Sequence, residues 1–260
     1  MRDLMHEIAQ QQNCPRSDVQ SAVRELVAEG VLEYHYTFGQ SYLALSFNHP
    51  VELTPRFTIV PPGHICQMPP GRIPLVIAPG IAFGDGRHPT TRLALCALDK
   101  GWDCFQQRNP GTAIRAVDIG TGSGILAIAA ASLGAARVLA LDIDACARSE
   151  TLHNVRLNPR AAGVVHVTES VAESLHERFD LMMANLRLPT LAGLVGWVRN
   201  WLSPKGCVVV SGCREEEWPH LVGIYDAQGL YPLWQDASGG WAGGVFTDAE
   251  ERALPSYAAT

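Results

Sequence analysis

One segment constrains the fold more than any other: an apolar stretch that runs into three glycines at alternate positions. The stretch spans Ile114 to Ile119, and an apolar helical pattern follows from Ile125 to Ala131. The glycines between them are Gly120, Gly122 and Gly124. Glycine lets the backbone turn tightly and approach a ligand closely, where a Cβ would interfere. The segment therefore predicts a strand, a ligand-binding loop and a helix, although close packing of helix on strand is an alternative reason for the glycines.

An acidic residue follows at the spacing that nucleotide-type cofactors require. Asp142 lies eighteen residues after Gly124, directly after the apolar run Val138 to Leu141. In dinucleotide-binding folds, an acid at this place accepts hydrogen bonds from ribose hydroxyls. A nicotinamide-dependent dehydrogenase is therefore a competing interpretation. However, the pattern D-x-G-x-G-x-G from Asp118 departs from the G-x-G-x-x-G fingerprint of those enzymes, and it resembles the first motif of S-adenosylmethionine-dependent methyltransferases.

The rest of the chain after Ile73 alternates short apolar runs with helical patterns, which is typical of a doubly wound α/β fold. We predict a seven-stranded class I methyltransferase sheet with a Rossmann-like arrangement. Strands are predicted at Val164 to Thr168, followed by Glu169 or Ser170 near the adenine, and at Phe179 to Ala184, followed by Asn185. Ligands of such folds bind outside the carboxyl ends of the strands, so Asn185 is expected where the methyl group sits.

Four motifs make a closer resemblance, to the PrmA family of methyltransferases, which modify a lysine-rich protein of the large ribosomal subunit. They are Pro79 to Thr91 (containing Ala-Phe-Gly and His-Pro-Thr-Thr), Asp118 to Ile128, Leu141 to Asp144, and Ala184 to Leu186. The likeness covers roughly residues 73 to 246. It implies cofactor contacts at Thr91, Gly120, Asp142 and Asn185, with the loop from Phe83 to His88 folded over the cofactor. The predicted cofactor set is completed by Phe83, Asp118, Gly122, Gly124, Ile143 and Glu169.

Two residues are the predicted catalytic groups, Asn185 and His88. Asn185 would accept hydrogens of an amine acceptor and aim its lone pair, whereas His88 would either orient that amine or hold the turn as a hydrogen-bonded loop residue. Asn185 is followed by Leu186 and Arg187, so the Asn-Pro-Pro-aromatic motif of enzymes that methylate planar amides and bases is missing. This favours an aliphatic amine as the acceptor.

The chain departs from the family pattern in three places. Asp85 stands where the family usually has threonine, and Arg87 stands where it has a small or polar residue. The family's usual N-terminal substrate-binding domain is not visible. In its place, residues 1–48 predict two helices and two strands, and the run Val19 to Gly30 resembles the later part of a winged-helix domain.

Charge argues against nucleic acid as the partner of this N-terminal unit. Residues 1–60 contain four arginines, no lysine and seven acidic residues, a balance of −3. A DNA-binding domain needs a basic surface. A contact module for a protein or peptide substrate is therefore predicted, and a structural cap or an oligomer contact is the alternative.

The whole chain of 260 residues carries a net charge of −6. We divide it into the unit 1–48, a Pro-rich linker or edge 49–72, a methyltransferase domain 73–248 and a loose tail 249–260. No stretch approaches the ~20 consecutive apolar residues that cross a bilayer, and a cytoplasmic location is predicted. The seven cysteines form no C-x-x-C pair, so no metal site is predicted.

Three functions remain open at this point. The first is a protein or peptide N-methyltransferase that acts on a lysine or N-terminal amine. The second is a small-molecule methyltransferase of a biosynthetic pathway. The third is a cofactor-sensing regulator that binds DNA.

Overall fold

The computed structural model describes residues 2–37, 40–64, 67–170 and 177–248. The helices are α1 (Arg2–Gln11), α2 (Arg16–Ala28), α3 (Pro89–Arg108), α4 (Ile125–Leu133), α5 (Ala145–Leu157), α6 (Leu188–Trp201) and α7 (Trp218–Asp226). The strands are β1 (Leu32–Thr37), β2 (Gln40–Leu45), β3 (Val51–Glu52), β4 (Phe57–Val60), β5 (Ile73–Val76), β6 (Arg115–Ile119), β7 (Arg137–Leu141), β8 (Val165–Thr168), β9 (Phe179–Asn185), β10 (Leu202–Arg214), β11 (Leu230–Ser238) and β12 (Trp241–Asp248).

The main sheet has seven strands in the order β11-β12-β10-β9-β6-β7-β8. The strands from β10 to β8 run parallel to one another, and β12 is antiparallel to both β10 and β11. Because strand order reverses between β6 and β9, the carboxyl ends of these two strands border the crevice where doubly wound folds bind ligands. The predicted seven-stranded α/β fold is confirmed.

Helices cover both faces of this sheet, and β9 shows the two layers most clearly. Leu181 and Met183 point into a core that includes residues of α3 and α4, whereas Met182 and Ala184 point into a second core with α6 and α7. Successive strand residues point to opposite faces. A strand buried on both faces reads as a continuous apolar run, which explains the sequence of β9.

The N-terminal unit consists of α1, α2 and the antiparallel pair β1–β2, in which Leu32 lies opposite Leu45. The predicted helices and strands are therefore present. Its buried apolar core comprises Ala9, Val19 and Val23. Residues 38 and 39, between the two strands, lie outside the described residues.

Residues 49–72, predicted as a Pro-rich linker or edge, contain two strands. β4 pairs with β3 and with β5 in a small three-stranded sheet. Phe57 and Ile59 are buried in the same core as α3, and Nη1 and Nη2 of Arg56 each donate to a carboxylate oxygen of Asp103 of that helix at 3.1 Å. This stretch is thus packed against the main sheet's helices. Residues 65 and 66 and the predicted tail 249–260 lie outside the described part of the chain.

In the described ranges, every helix is too short or too polar to span a lipid bilayer.

Candidate active site

The glycine loop joins β6 to α4 and has a backbone that other residues rarely adopt. Gly120, Gly122 and Gly124 have φ angles of +71°, +57° and +85°, which lie in the left-handed region that glycine tolerates. Neighbouring atoms are also close. A Cβ on Gly120 would lie 2.6 Å from Leu186 Cδ2, and one on Gly122 would overlap the carbonyl oxygen of Phe83. Close approach to Leu186 and to the Phe83 backbone is therefore one role of the glycines, and neither contact is the packing of helix on strand that was the alternative.

Asp118 lies beneath this loop and holds its shape. Its side chain is buried, and its Oδ2 atom accepts hydrogen bonds from the Thr121 hydroxyl at 2.6 Å and from the Ala127 amide at 3.2 Å. Burial raises the pKa of Asp118 to about 7, although the two hydrogen bonds oppose the shift and the nearby Asp142 adds to it. Desolvation disfavours the charged form of a carboxyl group. In the structure, Asp118 therefore stabilises the conformation of the glycine loop.

Asp142 extends from the carboxyl end of β7 towards the same loop. Its Oδ2 accepts a hydrogen bond from the Gly122 amide at 3.0 Å, and its Oδ1 accepts one from the Asp144 amide at 3.0 Å. The side chain of the next residue, Ile143, is 88% exposed. A partly exposed carboxylate beside an exposed apolar side chain suits a ribose with its attached base.

Glu169 follows β8 at the same edge of the sheet. Its carboxylate contacts Arg148 of α5 at 3.2 Å, and the side chain is largely exposed. Arg148 also donates to the carbonyl oxygens of Asp142 and Ile143 at 2.9 and 3.0 Å. These contacts place Glu169 close to Asp142, and its contact with the adenine stays a prediction.

The loop from Phe83 to His88 is seated on the glycine loop. The Ser123 amide donates to the carbonyl oxygen of Phe83 at 2.9 Å, and the Ser123 hydroxyl donates to that of Gly84 at 2.8 Å. The Phe83 side chain remains 54% exposed. The implied position of this loop, over the cofactor-binding edge of the sheet, agrees with these contacts.

His88 is the N-cap residue of α3, and its ring is hydrogen-bonded. Its Nδ1 accepts a hydrogen bond from the Thr90 amide at 3.3 Å and lies 2.9 Å from the Thr90 hydroxyl. The ring packs against Phe83 and Trp241, with centroids 5.3 and 4.9 Å apart. Burial lowers the pKa of His88, the nearby Arg214 lowers it further, and Asp85 opposes them. A neutral imidazole that caps the helix matches the turn-holding role, one of the two considered.

Besides Oδ1 of Asp118 beneath the glycine loop, two polar atoms at the site are buried without a hydrogen-bond partner among the described residues. They are Oδ1 of Asn185, at the carboxyl end of β9, and Oγ1 of Thr91, in the first turn of α3. Asn185 lies opposite Ser211 of β10. Buried polar groups are nearly always hydrogen-bonded, so an orphaned one calls for a missing partner. Both residues belong to the predicted cofactor-binding set.

Sequence reasoning missed a row of polar side chains on α5. Glu150 accepts hydrogen bonds from the Ile81 and Ala82 amides at 2.8 and 3.0 Å. Asn154 joins both sides of the site, since it donates to Ser123 O at 2.8 Å and accepts from the Ala78 amide at 3.0 Å. The spacing of four residues between Glu150 and Asn154 puts both on one helix face. This spacing is the feature of the sequence that could have indicated their shared role.

Comparison with known proteins settles the family. The family model for ribosomal protein L11 methyltransferase (PrmA) matches residues 43–247. The chain belongs to the PrmA family. The match includes β3 and β4 and excludes α1, α2 and β1, so most of the N-terminal unit lies outside it. The resemblance seen in the sequence is confirmed, and it begins upstream of residue 73.

Curated relatives of the PrmA family support this assignment. The ribosomal protein L11 methyltransferase of Geotalea daltonii is 34% identical over 196 residues, 74% of this chain and 62% of that protein. That of Shouchella clausii is 42% identical over 187 residues, 71% of this chain and 56% of that protein. The chain thus aligns with little more than half the length of these relatives.

A solved structure agrees with the sequence relatives. The ribosomal protein L11 methylase of Lactobacillus delbrueckii subsp. bulgaricus superposes with a TM-score of 0.66 at 28% identity, covering 77% of this chain and 98% of that one.

S-adenosylmethionine, the cofactor of PrmA-family methyltransferases, fits the residues present. The positive φ angles of the glycine loop leave no Cβ in the way of its amino-acid end. Asp142 would hold the ribose, beside the exposed Ile143. The orphaned atoms of Asn185 and Thr91 supply hydrogen-bonding groups that the described residues leave unused.

Proposed function

We propose that this protein is an S-adenosylmethionine-dependent methyltransferase that methylates a lysine or N-terminal amine of a protein. The observation that carries this proposal is the buried Oδ1 atom of Asn185 at the carboxyl end of β9, for which the described part of the chain offers no hydrogen-bond partner, in a chain of the PrmA family. The relatives are named for ribosomal protein L11, so a ribosomal protein of this kind is the proposed acceptor. Such an acceptor would also place the activity in the cytoplasm.

The chain's residues contribute mainly by positioning the reactants. When bound, S-adenosylmethionine supplies an electrophilic methyl group on a sulfonium. Methyl transfer is an in-line displacement, so its rate depends on holding donor and acceptor at near-attack distance. The Asn185 carbonyl oxygen would accept one hydrogen of the amine, which directs the nitrogen lone pair towards the methyl group.

The acceptor amine must be neutral to react. A free lysine has a pKa near ~10.4, and removal from water lowers the pKa of an ammonium group. The loop from Phe83 to His88, held by Ser123, would exclude water from the cleft. No dedicated base is part of the proposal. His88 is assigned the role of fixing the start of α3, and with it the buried Thr91.

Recruitment of the acceptor is assigned to the N-terminal unit. An apolar groove of about 620 Å³ lies between its helices and its hairpin. Its apolar lining includes Met5, Ile8, Val19, Val23, Leu26 and Leu43. Asp18 also lines the groove, and residues 1–60 carry a balance of −3. An apolar groove on an acidic unit complements an amphipathic, lysine-rich protein segment. An oligomer contact at the same groove is the alternative. We also propose that the chain divides into the unit 1–48, the edge 49–72 and the methyltransferase domain 73–248.

Isotope-labelled methyl transfer into a lysate of the source organism tests the proposal. The lysate is separated into protein, nucleic acid and small molecules after incubation with labelled S-adenosylmethionine. We expect label in a protein band with the wild-type enzyme and label reduced roughly 100-fold or more with Asn185→Ala. Label confined to small molecules would support a biosynthetic methyltransferase instead. Cofactor binding without any transfer, together with salt-sensitive binding to duplex DNA, would support the regulator.

A further inference from the structure

Arg87 links the N-terminal unit to the loop that covers the cofactor site. Its Nη2 atom lies 3.6 Å from Glu33 Oε1 of β1, and its Nη1 lies 3.1 Å from Asp85 Oδ2. The Arg87 amide donates to Asp85 Oδ1 at 3.0 Å. The guanidinium carbon lies 4.8 Å above the centroid of the Phe47 ring. Arg87 therefore contacts both β1 and the segment after β2.

Glu33 is itself held in place, which makes it a defined partner. Its Oε2 accepts a hydrogen bond from the Ser46 hydroxyl at 3.2 Å, and its Oε1 lies 2.9 Å from His35 Nε2. The side chain of Glu33 is 28% exposed and that of Arg87 is 44% exposed. A fixed, partly covered carboxylate loses less side-chain entropy on pairing than a freely rotating surface one does.

The backbone next to Arg87 is closely packed against the small three-stranded sheet. Gly86 has a φ of +89° and is buried, and a Cβ there would overlap Ile59 and lie 3.0 Å from Leu53 Cδ1. Two residues earlier, Gly84 accepts the hydrogen bond of the Ser123 hydroxyl. A continuous series of contacts thus runs from Glu33 through Arg87 and Gly84 to the glycine loop.

We propose that Arg87 is a positioning residue through which the N-terminal unit holds the loop from Phe83 to His88 against the glycine loop, and so sets the affinity for the cofactor. Glu33, the partner in this coupling, lies outside the residues that the family model matches, so the coupling is not part of the matched region. The inference rests on the proposed function, since it presumes the cofactor site.

Calorimetric titration of the full chain with S-adenosylhomocysteine tests the coupling. Arg87→Ala should weaken binding roughly tenfold, because two ion pairs and the stacking on Phe47 are lost together. Glu33→Gln should weaken it about two- to threefold and should have no further effect in the Arg87→Ala background. Arg87→Lys, which keeps the charge but not the planar stacking, should restore part of the loss. Arg24→Ala, on the exposed face of α2, is the matched control and should bind like the wild type.

The charge-reversed pair Glu33→Arg with Arg87→Glu separates positioning from a general loss of structure. It should bind more tightly than either single reversal, with unchanged circular dichroism. Additive effects of Glu33→Gln and Arg87→Ala, or wild-type affinity in Arg87→Ala, would overturn the inference and leave the proposed function intact. Absence of binding by the wild type would overturn the cofactor site and the inference with it.

Discussion

The α/β domain that contains the candidate site is packed more completely than the N-terminal unit. In the domain, two large clusters bury both faces of the sheet, with residues such as Leu181 and Val210 fully inaccessible. In the N-terminal unit, the buried cluster consists of Ala9, Val19 and Val23, and Leu26 and Leu45 remain 36% and 40% exposed. Exposed contiguous apolar surface marks interaction sites.

This difference matches the two tasks that we assign. Methyl transfer requires reactants held within a narrow range of distances, and the glycine loop is supported from below by Asp118 and from the side by α5. Docking of a protein segment requires accessible apolar surface instead. Stability and chemistry are therefore expected to depend on the domain, and recognition of the acceptor on the N-terminal unit.

The largest expected effect is on the stability of the domain. Leu181→Ala should lower the free energy of unfolding by about 2–5 kcal/mol, since the truncated side chain leaves a cavity in a packed core. All six tryptophans lie after residue 100, so their fluorescence during urea unfolding reports on the domain. Leu26→Ala, on the exposed groove, should leave that transition unchanged. Equal shifts for the two variants would contradict the contrast in packing.

The second largest effect is expected on cofactor affinity when Asp142 is replaced. Asp142→Ala removes the acceptor of the Gly122 and Asp144 amides and the proposed partner of the ribose. Hydrogen bonds to a charged group contribute about 1.5–3 kcal/mol, so binding of S-adenosylhomocysteine should weaken by about 100-fold in calorimetry. Asp226→Ala, at the exposed end of α7, is the control. Wild-type affinity in Asp142→Ala would exclude the assigned role.

Asp118 should make stability depend on pH in a predictable direction. Burial raises its pKa to about 7 in the folded protein, above the ~3.9 of an unfolded chain. The folded state therefore holds the proton more tightly, so this contribution is complete below about pH 4 and is lost as the pH rises through about 7. Relative to Asp118→Asn, the wild type should lose stability between about pH 4 and pH 7. Parallel curves for the two proteins would show that Asp118 does not titrate in this range.

The smallest effect should come from charge on the N-terminal unit. Reversing Glu25 and Glu29 to lysine should raise the KM for a basic protein acceptor several-fold at low salt, because complementary charge steers association. Affinity for S-adenosylhomocysteine should not change. A lower kcat with an unchanged KM would assign these residues to chemistry and not to recruitment.

Much of the fold was predictable because its signals are local. The glycine spacing, the acid after β7 and the apolar run of β9 each specify one element and its place at the sheet edge. The contacts of α5 were not predictable in the same way. Glu150 and Asn154 resemble a solvated helix face, and they are satisfied by backbone amides 68–76 residues away along the chain. The pairing of Arg87 with Glu33 was not predictable either, because these residues also lie far apart along the chain.

The strands at 49–72 were missed for a different reason. Prolines and glycines at this density predict loops, yet β4 pairs with β5 across the proline-rich stretch. His88, in contrast, carried a readable signal. It precedes a proline at the first position of α3 and two threonines, and proline is favoured there.

The central claim is that Asn185 positions the amine of a protein acceptor for methyl transfer. It is tested most directly by incubating the purified enzyme with isotope-labelled S-adenosylmethionine and the purified ribosomal protein L11 of the same organism. We predict label in that protein with the wild type and a loss of roughly 100-fold or more in Asn185→Ala, which removes a hydrogen-bond acceptor from the transition state. Binding of S-adenosylhomocysteine with no labelled protein, or equal labelling by the two enzymes, would contradict the account.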